Sequence, residues 1–152
     1  MGRLLSLVAR FDLRGEIAII REMPETQPKK ILLVEDEPML SSLLQQRLVK
    51  EGYDVPLARD GVEAVKFLRQ DKPDLILLDI ILPKMSGFEV METMKNDPTV
   101  FPAPVVIISN LGQESDIERG RALGAVGYFI KAQLSIEDLV SKIGEFFASK
   151  KT

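Results

Sequence analysis

The stretch DLILLDIILPKMSG, residues 74–87, decides the fold. It opens with an unbroken apolar run, Leu75–Leu78, which Asp79 stops abruptly. A strand that is apolar at every position, rather than at every second one, is buried on both faces, as strands of parallel sheets covered by helices are. Beyond Pro83, Ser86 and Glu89 carry the spacing of a capping box, and Phe88, Met91 and Met94 follow at helical intervals. Strand, loop and helix make one unit of an α/β fold.

The same unit repeats on either side. Upstream, residues 31–34 form an apolar run ending at Glu35 and Asp36. Pro38 then opens a helical pattern with Leu40, Leu43, Leu44 and Leu48 on one face and Gly52 as its stop. Residues 55–58 read as a short strand. Asp60 and Glu63 start a second helix carrying Val62, Val65 and Leu68, broken by Pro73. Downstream, Pro102 and Pro104 precede the apolar run 105–108, which stops at Ser109. A weaker helix at 115–123 ends at Gly124, a strand at 126–130 stops at Lys131, and Ser135 and Asp138 cap a last helix carrying Leu139, Ile143, Phe146 and Phe147. Five strand–helix units predict an α/β fold with a parallel sheet between two helical layers.

Residues 29–149 form the expected domain, and 150–152 a short tail. Residues 1–28 stand apart: Pro24 and Pro28 mark a linker, and Leu4, Val8 and Phe11 form one weak helical face diluted by Arg3, Arg10, Arg14 and Arg21. The expectation there is a mobile arm, with a docking or dimerisation arm as the sharper alternative.

Composition narrows the chemistry. Among 152 residues there is no cysteine and no histidine, which removes disulfides, thiol nucleophiles, His-bearing zinc sites and any histidine phosphodonor. A net charge of −3 gives no basic footprint for nucleic acid. No apolar run approaches the roughly 20 residues of a membrane span, and Arg10 and Asp12 cut short a signal-peptide pattern, so the expected location is cytoplasmic.

The informative residues are those that end the apolar runs: Glu35 and Asp36, Asp79, Ser109, and Lys131. Singly, each has a plain reading as a cap or a solvated charge. In open parallel sheets, however, ligands bind outside the carboxyl ends of the strands, at the switch point of strand order. With the first and third strands adjacent, three carboxylates share one rim. Two carboxylates about 4 Å apart repel by roughly 4 kcal/mol at an effective dielectric near 20. They must spread, protonate or hold a cation, and an all-oxygen site with open positions suits Mg²⁺, with Mn²⁺ as a substitute. Metal, carboxylate nucleophile, lysine and hydroxyl together suit phosphoryl transfer.

These stretches, ILLVEDEP (31–38), DLILLDIILPKMSG (74–87), VVIISN (105–110) and GAVGYFIKA (124–132), resemble response-regulator receiver domains over about residues 29–147. The resemblance implies a flavodoxin-like (βα)₅ three-layer sandwich with a parallel five-stranded sheet in the order 2-1-3-4-5. It implies Asp79 as phosphoacceptor, with Glu35, Asp36, Asp79 and the backbone carbonyl of Ile81 around Mg²⁺. Lys131 would pair with the phosphate, Ser109 would be the switch hydroxyl, and Tyr128 the aromatic that turns inward.

The chain departs from the family pattern at three positions. The family lysine is usually followed by a cis proline, but Ala132 follows Lys131. A cis bond before a non-proline residue costs about 2.5–4 kcal/mol, so a trans loop is the alternative. Ile81 and Leu111 are apolar where polar residues often position hydrolytic water, which predicts slow autodephosphorylation.

The expected function is a stand-alone phosphorylation-dependent switch, not an enzyme beyond its own phosphorylation and dephosphorylation. Its expected partners are a sensor histidine kinase or histidine phosphotransfer protein, and a downstream protein on the face bounded by Gln113 and Phe147. The sequence leaves open whether a homodimer forms; nucleic acid and membrane are not expected. The rivals are a receiver-like scaffold indifferent to phosphorylation and an aspartyl phosphatase. Ile81 stands where such a phosphatase carries its second acid. A glycine-rich phosphate loop is missing after the first strand, which disfavours a nucleotide-binding protein.

Overall fold

The computed structural model describes residues 6–22 and 27–149. Its main body is a five-stranded parallel sheet of β3 (Ile31–Val34), β4 (Leu57–Ala58), β5 (Leu75–Leu78), β6 (Val105–Ser109) and β7 (Gly127–Ile130), in the order β4-β3-β5-β6-β7. That is the order 2-1-3-4-5 for the five parallel strands. Five helices connect and cover it: α1 (Pro38–Lys50), α2 (Gly61–Gln70), α3 (Gly87–Asn96), α4 (Glu114–Ala122) and α5 (Ile136–Ser149).

The runs that are apolar at every position are buried on both faces, because the two core layers draw on alternate residues. Leu32, Val34, Ile76, Leu78, Val105 and Ile107 face one layer with α2 and α3. Ile31, Leu33, Leu75, Leu77, Val106 and Ile108 face the other with α1 and α5. Every residue of β3, β5 and β6 is buried, whereas β7, at the sheet edge, is half-buried throughout.

Local signals account for most helix starts. Pro38 takes the first turn of α1, where a missing N–H costs nothing. Asp60 accepts from Glu63 N at 2.8 Å, and Ser86 and Glu89 form a complete capping box on α3. Two inward expectations are corrected. Leu43 is 51% exposed and Val62 47% exposed, because α1 buries only the narrow stripe Ser41, Leu44 and Leu48, and α2 turns Ala64, Val65 and Leu68 inward. The strand expected at 55–58 is trimmed to two residues, since Pro56 has no N–H for the ladder and serves only through its carbonyl, which accepts from Leu33 N at 2.9 Å.

The N-terminal segment is also corrected. Instead of a helical face through Val8 and Phe11, the chain forms an antiparallel hairpin, β1 (Ser6–Phe11) and β2 (Ile17–Glu22). Leu7, Ala9 and Phe11 alternate at the strand period of two, and Asp12 and Gly15 supply the turn. Leu4, residues 23–26, which carry Pro24, and the tail at 150–152 lie outside the described residues.

Candidate functional site at the carboxyl ends of the strands

The register of the sheet brings the run-ending residues together. Val34 pairs with Leu78, so Glu35 emerges beside Asp79, and Asp79 N donates to the Val34 carbonyl at 3.0 Å. Ser109 pairs with Ile130, so Lys131 leaves the sheet next to it. The sequence pattern named these positions, and the strand order makes them neighbours.

Glu35, Asp36 and Asp79 each offer a carboxylate oxygen, and the three oxygens lie within 4.8 Å of one another. Glu35, Asp79 and Ser109 are buried, while Asp36 faces solvent at the open side. Lys131 Nζ spans the cluster, 2.6 Å from Asp79 Oδ2 and 2.8 Å from Glu35 Oε2. Asp79 Oδ1 accepts from Ile81 N at 3.2 Å. Glu35 Oε1 accepts from Glu37 N and from Lys131 Nζ, both at 3.1 Å. Glu35 Oε2 is in ion-pair range of the ammonium but is a buried oxygen without a hydrogen bond.

The electrostatics are those of a site with too few cations. Burial pushes the Glu35 carboxyl above its ordinary value, against the pull of Lys131 and the Glu37 amide. Burial also works to lower Lys131, but its hydrogen bonds to Asp79 and Glu35 outweigh that and hold it above its ordinary value. One ammonium meets two of the three carboxylates, and the buried Glu35 Oε2 has no hydrogen bond. Both observations fit a hard divalent cation held by oxygen ligands.

Ser109 Oγ accepts from Leu111 N at 3.2 Å. Tyr128 is half-buried, and its hydroxyl donates to the Leu111 carbonyl. Burial raises the Tyr128 hydroxyl, as do the charges of Asp116 and Asp79, while hydrogen bonding with Ser109 lowers it. The ring therefore already lies beneath the β6–α4 loop, packed against the Gly120 turn of α4. The side chain of Ile81 is 59% exposed at the lip.

Three contributors escape a reading of sequence pattern. Asn110 Oδ1 accepts from Ala132 N at 3.1 Å, tying the β6–α4 loop to the turn that carries Lys131. No described peptide bond is cis, so the Lys131–Ala132 bond is trans. A Cβ on Gly87 would overlap the carbonyl oxygen of Asp79, so the first turn of α3 sits against the strand end. A Cβ on Gly61 would overlap the Met85 carbonyl, which brings α2 equally close to the β5–α3 loop. Asn110 follows Ser109 directly, but nothing in the linear pattern says what its amide meets.

Comparison with known proteins agrees with this geometry. The profile of the Response regulator receiver domain matches residues 31–144. The alkaline phosphatase synthesis transcriptional regulatory protein PhoP of Bacillus subtilis is 43% identical over 103 residues, 68% of this chain and 42% of that protein. The polar-differentiation response regulator DivK of Brucella anthropi is 34% identical over 121 residues, 78% of this chain and 98% of that protein. The chain thus spans less than half the length of PhoP but nearly all of DivK. Among solved structures, the phosphorylated cyanobacterial phytochrome response regulator RcpA superposes with a TM-score of 0.71 at 38% identity, covering 82% of this chain and 97% of that one. The Mn²⁺-bound form of response regulator Rcp1 gives 0.71 at 33% identity, covering 82% and 98%. No described helix is long and apolar enough to cross a membrane.

Proposed function

This chain belongs to the response regulator receiver domain family, the phosphoryl-accepting switches of two-component signalling, and on that premise we propose that Asp79 is its phosphoacceptor. The observation that carries the reading is the contact between Asp79 and Lys131, 2.6 Å apart, inside a group of three converging carboxylates.

The residues assign themselves roles by reach. Glu35, Asp36, Asp79 and the Ile81 backbone carbonyl would hold a divalent cation, Mg²⁺ or Mn²⁺, which would neutralise charge on the transferred group. Asp79 is poised by the Ile81 amide on one oxygen and by Lys131 on the other. In the transfer a carboxylate oxygen of Asp79 bonds to phosphorus. The bond from phosphorus to the histidine nitrogen of a kinase or phosphotransfer protein breaks, and the electron pair leaves with the imidazole. Lys131 then follows the new charge, about −1.5 to −2, and pairs with a phosphate oxygen. The Ser109 hydroxyl turns to donate to another oxygen, and Tyr128 moves inward behind it.

The response is a population shift, limited by how much better one packing holds the phosphate than the other. The element best suited to shift is α4, whose only buried residue is Gly120. The output face is therefore the surface of α4, β7 and α5, from Gln113 to Phe147, read by a downstream protein. The chain acts as a phosphorylation-dependent switch.

The test is intact mass after incubation with acetyl phosphate and Mg²⁺. Wild type gains one phosphoryl group and Asp79→Asn does not. An unmodified wild type beside a control receiver that loads, or equal loading of the variant, overturns the assignment.

A further inference from the structure

The hairpin of β1 and β2 lies outside the family match at 31–144 and takes no part in the phosphorylation site. Its register pairs Ala9 with Ile19, Arg10 with Ala18, and Phe11 with Ile17. Side chains alternate along a strand and cross-strand partners share a face, so Leu7, Ala9, Phe11, Ile17 and Ile19 occupy one side of the ribbon. Val8, Arg10 and Ala18 occupy the other.

The ribbon is encoded locally. Asp12 N donates to the Glu16 carbonyl at 3.0 Å and Gly15 N to the Asp12 carbonyl at 3.0 Å. Asp12 Oδ1 accepts from Arg14 N at 2.8 Å and Glu16 N at 2.9 Å, and Gly15 supplies the positive φ of 79° that closes the turn. Yet the apolar side is bare: Leu7 is 69% exposed, Phe11 72%, Ile17 66% and Ile19 71%. A lone two-stranded hairpin is marginal in water, and a contiguous apolar patch marks an interaction site.

We infer that this side of the hairpin is a self-association surface, on which two copies of the chain stack face to face. The receiver body of the same chain does not cover it, as the exposures state. The face also complements itself. Ala9 leaves a shallow place between the bulk of Leu7 and Phe11, and a two-fold arrangement seats Phe11 of each copy over Ala9 of the other, as a closed isologous contact requires. The area suits a reversible pair. At about 100 Å² for each of the four large side chains on each face, the contact buries roughly 800 Å², below a standard specific interface and in the range of a weak, reversible pair. Such a contact holds in the micromolar range or weaker, so it depends on protein concentration.

The first measurement is sedimentation of the full chain from about 1 µM to about 1 mM. The mass rises from one chain to two, and Phe11→Ser combined with Ile19→Ser holds it at one chain while acetyl phosphate still loads the receiver. A monomer throughout overturns the inference. So does a dimer that survives those changes but is lost in Leu43→Ser, which would place the contact on the exposed apolar side of α1.

The second measurement uses the absence of cysteine from the sequence. Ala9→Cys and Ala18→Cys place one thiol on each side of the ribbon. As protein concentration rises across the association range, maleimide labelling of Ala9→Cys slows at least fivefold and that of Ala18→Cys does not. Equal rates for the two overturn the face assignment, whether the hairpin opens or pairs by its other side. Neither measurement depends on Asp79.

Discussion

The Asn110 side chain reaches across to the turn after β7 and accepts a hydrogen bond from Ala132 N at 3.1 Å. The bond exists because residue 132 has an N–H to give; a proline there has none. Asn110 follows Ser109 and Ala132 follows Lys131, so the contact fixes the separation of two site residues through their neighbours. Asn110 is a positioning residue. Asn110→Ala slows phosphorylation by acetyl phosphate several-fold, about what loss of one hydrogen bond of about 1 kcal/mol implies. Ala132→Pro removes the same contact from the other side. The decisive comparison is the double variant, which is no slower than Ala132→Pro alone. Additive losses would show that the two residues act independently.

Much of this was legible in sequence, for a physical reason. Short runs that are apolar at every position, stopped by polar residues and flanked by helical patterns, read as doubly buried strands, so β3, β5 and β6 are legible, and the residues that end them mark one rim of the sheet. Glu35, Asp79, Ser109 and Lys131 were found as interruptions of a hydrophobic pattern. What sequence hides is contact between segments far apart in the chain. Nothing in the order of residues brings Asn110 to Ala132, or Gly87 against the carbonyl of Asp79. The hairpin is hidden in the sequence because six alternating residues diluted by arginines carry a weak period of two, and Leu4, Val8 and Phe11 fit a helical face as well. Leu43 and Val62 were placed inward because helical spacing gives the side of a stripe but not its width.

Two glycines separate close approach from open space. A Cβ on Gly87 overlaps the Asp79 carbonyl oxygen, whereas one on Gly144, within α5, meets nothing within 4 Å. Gly87→Ala loses about 1–3 kcal/mol of stability as α3 and the strand end move apart, and phosphorylation slows with it. Gly144→Ala gains about 0.5–1 kcal/mol, because alanine gives up less backbone freedom in a helix. Urea unfolding of both variants checks the pair, and equal effects would contradict the placement of Gly87.

The pH dependence of the metal-free protein has a defined sign. Burial raises Glu35, so the folded chain keeps this proton at pH values where the unfolded chain has lost it. Its contribution to stability falls as pH rises from the ordinary value of 4.5 through the raised one. Lys131 is opposed by burial but raised by its bonds to Asp79 and Glu35. Its contribution is whole below the ordinary value of 10.5 and is lost as pH climbs through the folded one. Glu35→Gln therefore gains on wild type as pH rises from 4.5 toward neutrality. Unfolding curves at stepped pH in chelator measure the difference, and parallel profiles would refute it.

The lifetime of the phosphorylated state follows from the lip of the site. Hydrolysis needs a water in line with the bond from phosphorus to the Asp79 oxygen, and that water reacts faster when a side chain holds it there. Ile81, two residues after Asp79, is 59% exposed at the entrance, and Leu111 flanks the loop beyond Ser109. Neither side chain has a polar atom to hold a water. On the proposed assignment, an acyl phosphate on Asp79 therefore decays slowly. Ile81→Asn places an amide at the lip, and one hydrogen bond of about 1.4 kcal/mol to the attacking water gives roughly a tenfold faster loss. Because Ile81 contributes to the site through its backbone, with its amide on Asp79 Oδ1, the substitution leaves loading by acetyl phosphate near the wild-type rate. Decay of the added mass after the phosphodonor is removed measures both proteins. A wild-type lifetime no longer than that of the Asn variant would show that water is positioned by some other group, and the exposed Ile81 would then have no part in holding the signal.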